Sequence, residues 1–125
     1  MLIWRIELEN PKSWEMDGIY CLPGVMTTDD CKKYSSSKHL QPGVEGIYDF
    51  EGAYFGFVSA GALLSWFYDQ DDLARWLKDG AKIVLYEGCG VCVGLVTGQC
   101  CFERVVQVWS TRRLSEFLEF SQNFT

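Results

Sequence analysis

This 125-residue chain has a single histidine, at position 39. No cysteine or carboxylate stands at matching spacing, so His39 reads as a solvated loop residue rather than a ligand or a base. Neither a Ser-His nor a Cys-His nucleophile motif is recognisable, and nothing in the sequence points to catalysis. No apolar run approaches the roughly 18 residues that a membrane span needs. The opening MLIWRIELEN is broken by Arg5 and Glu7, so it lacks the continuous apolar stretch of a signal peptide. Basic charge is scarce: 11 Lys and Arg stand against 17 Asp and Glu, for a formal net charge of -6 and a pI near 4.7. That balance argues against a duplex nucleic acid partner, which needs a basic face. A Walker or dinucleotide glycine loop is also missing, because the glycines of EGCGVCVG lead into a strand-like run where those motifs open a helix. The expectation is a soluble, cytosolic protein with no membrane partner, no metal and no cofactor.

Cysteine, by contrast, is plentiful, with six residues at 21, 31, 89, 92, 100 and 101. Cys89 and Cys92 form a CxxC, but VCVGLV follows as a strand, whereas the thioredoxin-type motif opens a helix. Zinc would need four ligands at workable spacing. No second CxxC exists, and Cys100 and Cys101, adjacent on a strand, point to opposite faces. Without an export signal the expectation is free, mostly buried thiols.

Aromatics are abundant too: five Trp, six Tyr and eight Phe exceed what a small core readily encloses, and such a surplus tends to line pockets or interfaces. The length suits one domain spanning 1–125. Residues Leu2 to Leu8 read as a strand with Leu2, Trp4 and Ile6 on one face and Ile3, Arg5 and Glu7 on the other. Gly18-Ile19-Tyr20 suggests a short extended piece, and Thr27 to Gly46 a long polar surface loop. Ala53 to Val58 reads as an aromatic strand, and Ser59 as the N-cap of a helix from Ala60 to Phe67. A second helix from Asp71 to Lys78 carries Leu73, Trp76 and Leu77 on one face and ends at Gly80. Three further strands are expected at Lys82–Glu87, Val91–Val96 and Gln99–Trp109, separated by turns at Gly88–Gly90 and Thr97–Gly98. Ser110 or Thr111 would cap a last helix with Leu114, Phe117 and Leu118 inward, followed by a fraying tail. This order predicts an α+β domain, an antiparallel sheet with two or three helices packed on one face or end. The acidic pairs Asp29-Asp30 and Asp71-Asp72 fit structural roles, the first in the polar loop and the second at a helix start.

Three of the five arginines lie between Cys101 and Phe120, namely Arg104, Arg112 and Arg113. A guanidinium grips phosphate in bidentate fashion and stacks on flat rings, and an aromatic offers a second stacking face. Arg112 and Arg113 would open the last helix, where exposed N–H groups favour an anion. A nucleotide-like ligand and a pair of surface cations balanced by a carboxylate such as Glu116 are the two readings of that cluster.

The order of several short motifs adds to this. WRIE at Trp4–Glu7, GIY at Gly18–Tyr20, His39 before a Pro-Gly turn, FGFVS at Phe55–Ser59 leading into LLSWF, a Gly-ended helix before KIVLYE, and GQCCF at Gly98–Phe102 occur in sequence. In that order the chain resembles the type one Thoeris anti-defence sponge family of phages over about residues 3 to 118. The resemblance implies an α+β protein of the infected bacterial cytoplasm that forms homodimers and can reach hexamers. It further implies that a cyclic ADP-ribose isomer made by TIR-domain enzymes is held intact at a dimer interface, with no metal and no catalysis. Some members of the family also hold cyclic oligonucleotides at a separate site. Carried over by position, Gln99, Phe102, Arg112 and Arg113 would line the pocket beside Trp109, with Arg5 and Tyr20 as secondary members. The chain departs from the family pattern at Cys100-Cys101, where an aliphatic pair is expected, and at the bulky Trp109. It also has Phe at position 57 and no arginine between Arg5 and Arg75, which weakens the case for a second, basic site.

Overall fold

The alternation in LIWRIEL is realised as strand β1 (Leu2–Leu8) in the computed structural model, which describes residues 1–9, 22, 24–34, 54–94 and 97–124. Three more strands follow: β2 (Tyr54–Phe57), β3 (Ala81–Val93) and β4 (Gln99–Thr111). The helices are α1 (Thr28–Tyr34), α2 (Ala60–Trp66), α3 (Gln70–Asp79) and α4 (Leu114–Ser121), with a 3-10 turn at Gln122–Phe124. The protein is therefore α+β. All pairings are antiparallel, and the sheet closes on itself in the order β1-β2-β4-β3.

Closure has a local cause at two glycines. A Cβ at Gly56 would lie 2.6 Å from Ile3 Cγ2 and 2.7 Å from the Trp4 carbonyl oxygen, and one at Gly88 would lie 2.8 Å from Phe102 Cδ2. Side chains at these positions would hold the strands apart. The ring consequently tightens around Ile3 and Phe102.

The strand faces divide as alternation predicts. Trp4, Ile6 and Leu8 of β1 join Ile83 and Leu85 of β3 and Phe57 of β2 in the main core, which the helices cover with Leu63, Trp66, Phe67, Leu73, Trp76, Leu77 and Phe117. Each fully buried side chain of this size contributes roughly 1.5–3 kcal/mol, so this layer supplies most of the driving force. The other sheet face holds a smaller cluster of Ile3, Tyr54, Val84, Tyr86, Cys100 and Phe102. Ser59 caps α2 by accepting from the Ala62 N–H at 3.0 Å, and Gly80 is the C-cap of α3, as the sequence predicts.

Four expectations need correction. Residues Thr28–Tyr34 form α1 instead of loop, because Thr27 and Asp30 cap each other: the Thr27 N–H donates to Asp30 Oδ2 at 2.8 Å and the Asp30 N–H to Thr27 Oγ1 at 3.1 Å. Asp30 also accepts from both Arg75 nitrogens, at 2.6 and 3.1 Å, and from Trp76 Nε1 at 3.0 Å. Burial alone would raise its pKa, but these donors hold the carboxyl well below its ordinary range. Second, Gly88–Gly90 is no turn: β3 runs through it, and the irregularity appears as register shifts at Glu87/Gly88 and Cys89/Cys92. Third, Arg113 is the N-cap residue of α4, and its N–H donates to the Thr111 hydroxyl at 3.0 Å. Fourth, the tail does not simply fray, since Phe124 packs edge-on to Trp4 with ring centroids 5.9 Å apart. His39, the extended piece at 18–20 and most of the expected loop lie outside the described residues.

Candidate ligand-binding site

The sheet face away from the helices carries a cationic and aromatic cluster on an apolar floor. Strand alternation sends Arg5 and Glu7 of β1 to this face beside Ile3, and the register of β2 with β4 sets Tyr54 opposite Phe102. Arg104 follows two residues after Phe102 and so returns to the same face, opposite Gly88. Its guanidinium carbon lies 4.0 Å from the centroid of Tyr54 and 5.7 Å from that of Tyr86. Arg5 approaches the Tyr54 ring too, at 5.0 Å.

The two arginines differ in what else they touch. Arg5 is 3% exposed; its Nε donates to Glu7 Oε2 at 3.0 Å and its Nη1 to the Phe55 carbonyl at 2.7 Å. Burial lowers its pKa, and Glu7 works in the opposite direction. Arg104 is exposed, and its Nη1 donates to the Tyr86 hydroxyl at a long 3.5 Å. The Tyr86 hydroxyl in turn donates to Glu7 Oε1 at 2.6 Å. Burial, with Glu7 reinforcing it, pushes the Tyr86 pKa up to about 12, so the phenol stays protonated at neutral pH. Lys82 stands 3.9 Å from Glu7. Lys82 is shared with Glu9, also 3.9 Å away, so the three cations Arg5, Arg104 and Lys82 stand against two carboxylates, Glu7 and Glu9. This is an electropositive spot on an acidic protein, with a flat ring beneath an exposed guanidinium, and it suits an anion attached to an aromatic base.

The residues singled out from the sequence are distributed elsewhere as well. Arg112 donates from Nε to the Leu77 carbonyl and from Nη2 to the Lys78 carbonyl, each at 3.1 Å. It thereby satisfies the C-terminal carbonyls of α3 and opposes the negative end of that helix. Arg113 points outward, 78% exposed, with Glu116 3.8 Å away. Gln99 and Phe102 are fully buried. Trp109 stacks on Phe120 with centroids 4.1 Å apart and planes at 13°. These two rings line a surface groove of about 520 Å³, but its other walls include Glu116 and Glu119. That rim has the wrong charge for a diphosphate. Tyr20 lies outside the described residues. Of the seven, the fold brings Arg5 and Phe102 to one face and gathers Trp109, Arg112 and Arg113 around the ends of α3 and α4.

Sequence reasoning missed Arg104, Tyr54 and Tyr86 as a group. The available signal was parity: Phe102 and Arg104 must share a strand face. Among the described residues no group of three or more His, Cys, Asp or Glu side chains is arranged to hold a metal ion. No helix among them is long and apolar enough to cross a membrane.

A family model described as the bacteriophage T4 Y00F protein matches residues 1–113. The chain belongs to this phage protein family. No curated protein and no solved structure matches it. The Y00F match spans all four strands and every residue of the Arg5–Tyr54–Arg104 cluster, while α4 and most of the groove against Phe120 lie beyond it.

Proposed function

We propose that this phage protein binds and sequesters a TIR-derived cyclic ADP-ribose signal without degrading it, and so blocks Thoeris immunity from the cytoplasm of the infected bacterium. The observation that carries the reading is the exposed Arg104 guanidinium lying 4.0 Å over the buried Tyr54 ring, with Arg5 held behind it. A phosphate would draw on Arg104, and a purine has the outer face of the guanidinium plane, held flat by Tyr54 beneath it, to stack on. The motif order that resembles the sponge family supports the same ligand class. On this reading the ligand is held and released intact.

The homodimer that the resemblance implies, and any hexamer built from it, would form along the stretch of β4 after Phe102, which β2 does not pair. There Val105, Val106 and Val108 are 62%, 55% and 51% exposed, close in sequence to Arg104. A cyclic oligonucleotide at a separate site is a further ligand that the resemblance allows. The same three valines favour a second reading, an inhibitor that blocks a host defence protein by direct contact.

The test is to mix the purified protein with glycocyclic ADP-ribose isomers, remove free ligand by filtration, heat the protein and analyse what it releases. Sequestration predicts an intact isomer after heating. An altered product would mean catalysis. No depletion, with salt-sensitive capture of a host protein and no retained nucleotide, would favour the contact inhibitor.

A further inference from the structure

Cys92 and Cys101 stand directly opposite each other on β3 and β4. Cys92 is exposed and Cys101 fully buried. Directly opposed residues of an antiparallel pair hold their Cα atoms about 4.5–5.5 Å apart, within the range of about 4.4–6.8 Å found in disulfides. From this geometry we propose that Cys92 is a thiol–disulfide exchange site for a small-molecule disulfide, and that Cys101 resolves the adduct into a reversible Cys92–Cys101 cross-strand bond.

The chemistry balances in two exchanges. The Cys92 thiolate attacks one sulfur of the small disulfide, breaks its S–S bond and releases one thiolate, which takes up a proton. Cys101 then gives its proton to solvent and attacks Cys92 Sγ, expelling the second small thiolate. The protein dithiol loses two electrons and two protons, and the small disulfide becomes two thiols. Burial first, and then the neighbouring Cys92, raise the Cys101 pKa, so the second exchange is the slower one.

The other cysteines compete poorly. Cys89 is exposed, but its Sγ is engaged with Glu103 Oε2 at 3.7 Å. Three residues of extended strand, roughly 10 Å, separate it from Cys92, beyond disulfide reach. Cys100 points to the opposite sheet face, where burial pushes its thiol up to about 12. Cys101 also sits opposite Phe55 of β2, whose carbonyl anchors Arg5. The new bond would therefore staple the strand junction that supports the arginine cluster.

The full chain would be incubated with oxidised glutathione, its remaining thiols alkylated, and the product digested without reduction by a protease that cleaves after Leu95, which separates the two cysteines. The proposal expects loss of two thiols per chain, a Cys92–Cys101 linked peptide and no bond between chains. Cys101→Ala should trap glutathione on Cys92 at least tenfold longer than the natural chain does, while Cys92→Ser, at an exposed position, should leave Cys101 unreacted. A persistent adduct on Cys92 in the natural chain, a bond from Cys89, a bond between chains or no thiol consumption would overturn it. The readout is independent of nucleotide binding.

Discussion

Two groups of arginines, Arg5 with Arg104 and Arg112 with Arg113, show how little sequence proximity says about shared work. The first pair is separated by most of the chain, yet both guanidiniums converge on one tyrosine ring. The second pair is adjacent, yet Arg112 turns to the carbonyls ending α3 and Arg113 to solvent beside Glu116. The difference arises from the elements beneath them. A strand pair in register holds side chains on one face, whereas the passage from β4 to α4 sends consecutive residues in different directions. Only the first pair keeps an exposed cation on a fixed aromatic surface.

The comparison is broken most strongly from below. Phe102→Ala removes the fully buried ring under Tyr54 and Tyr86. A loss of about 4 kcal/mol in unfolding free energy is expected by urea denaturation, with the Arg104 site lost alongside it.

Alkaline pH should loosen the same region. Tyr86 titrates near 10.0 when unfolded and near 12 when folded, so its contribution is complete below pH 10 and is lost as pH rises through 12. Cys100, raised from 9.0 to about 12, acts with the same sign from pH 9 upward. For Tyr86 the loss is roughly 2–3 kcal/mol. Denaturation curves at pH 8.5, 10 and 11.5, values chosen to bracket these pKa values, should show a steep fall that Tyr86→Phe makes shallower above pH 10.

The C-terminal pair should respond weakly and only in stability. Arg112→Ala leaves two carbonyls of α3 without their donor and is expected to destabilise by about 1 kcal/mol, read as a modest drop in Tm. Arg113→Ala should change stability by less than about 0.5 kcal/mol, as for other exposed ion pairs.

Much of this architecture was legible in local patterns. Alternation in LIWRIEL already sets Arg5 against Trp4, and Ser59 and Gly80 mark helix ends because their caps are chain-local. The helix Thr28–Tyr34 was hidden by its polarity: its stability comes from the Thr27–Asp30 exchange and from Arg75 and Trp76, which arrive from distant sequence. Gly88–Gly90 suggested a turn because glycine serves both turns and close approach, and only the packed Phe102 shows which one operates here. The candidate site was least legible, since Tyr54 meets Arg104 through the register of β2 on β4, a non-local quantity. The contacts of Arg112 were hidden for a similar reason, because the carbonyls it meets belong to another helix.

The measurement that tests the account most directly is the dissociation constant for a glycocyclic ADP-ribose isomer in the natural protein, Arg104→Ala and Arg112→Ala, with folding checked by circular dichroism. Loss of one charge-assisted contact of about 1.5–3 kcal/mol predicts a ten- to hundredfold weakening for Arg104→Ala. Arg112→Ala should stay within about twofold of the natural protein. Full affinity in Arg104→Ala together with a large loss in Arg112→Ala would contradict the account and return the ligand to the end of α3.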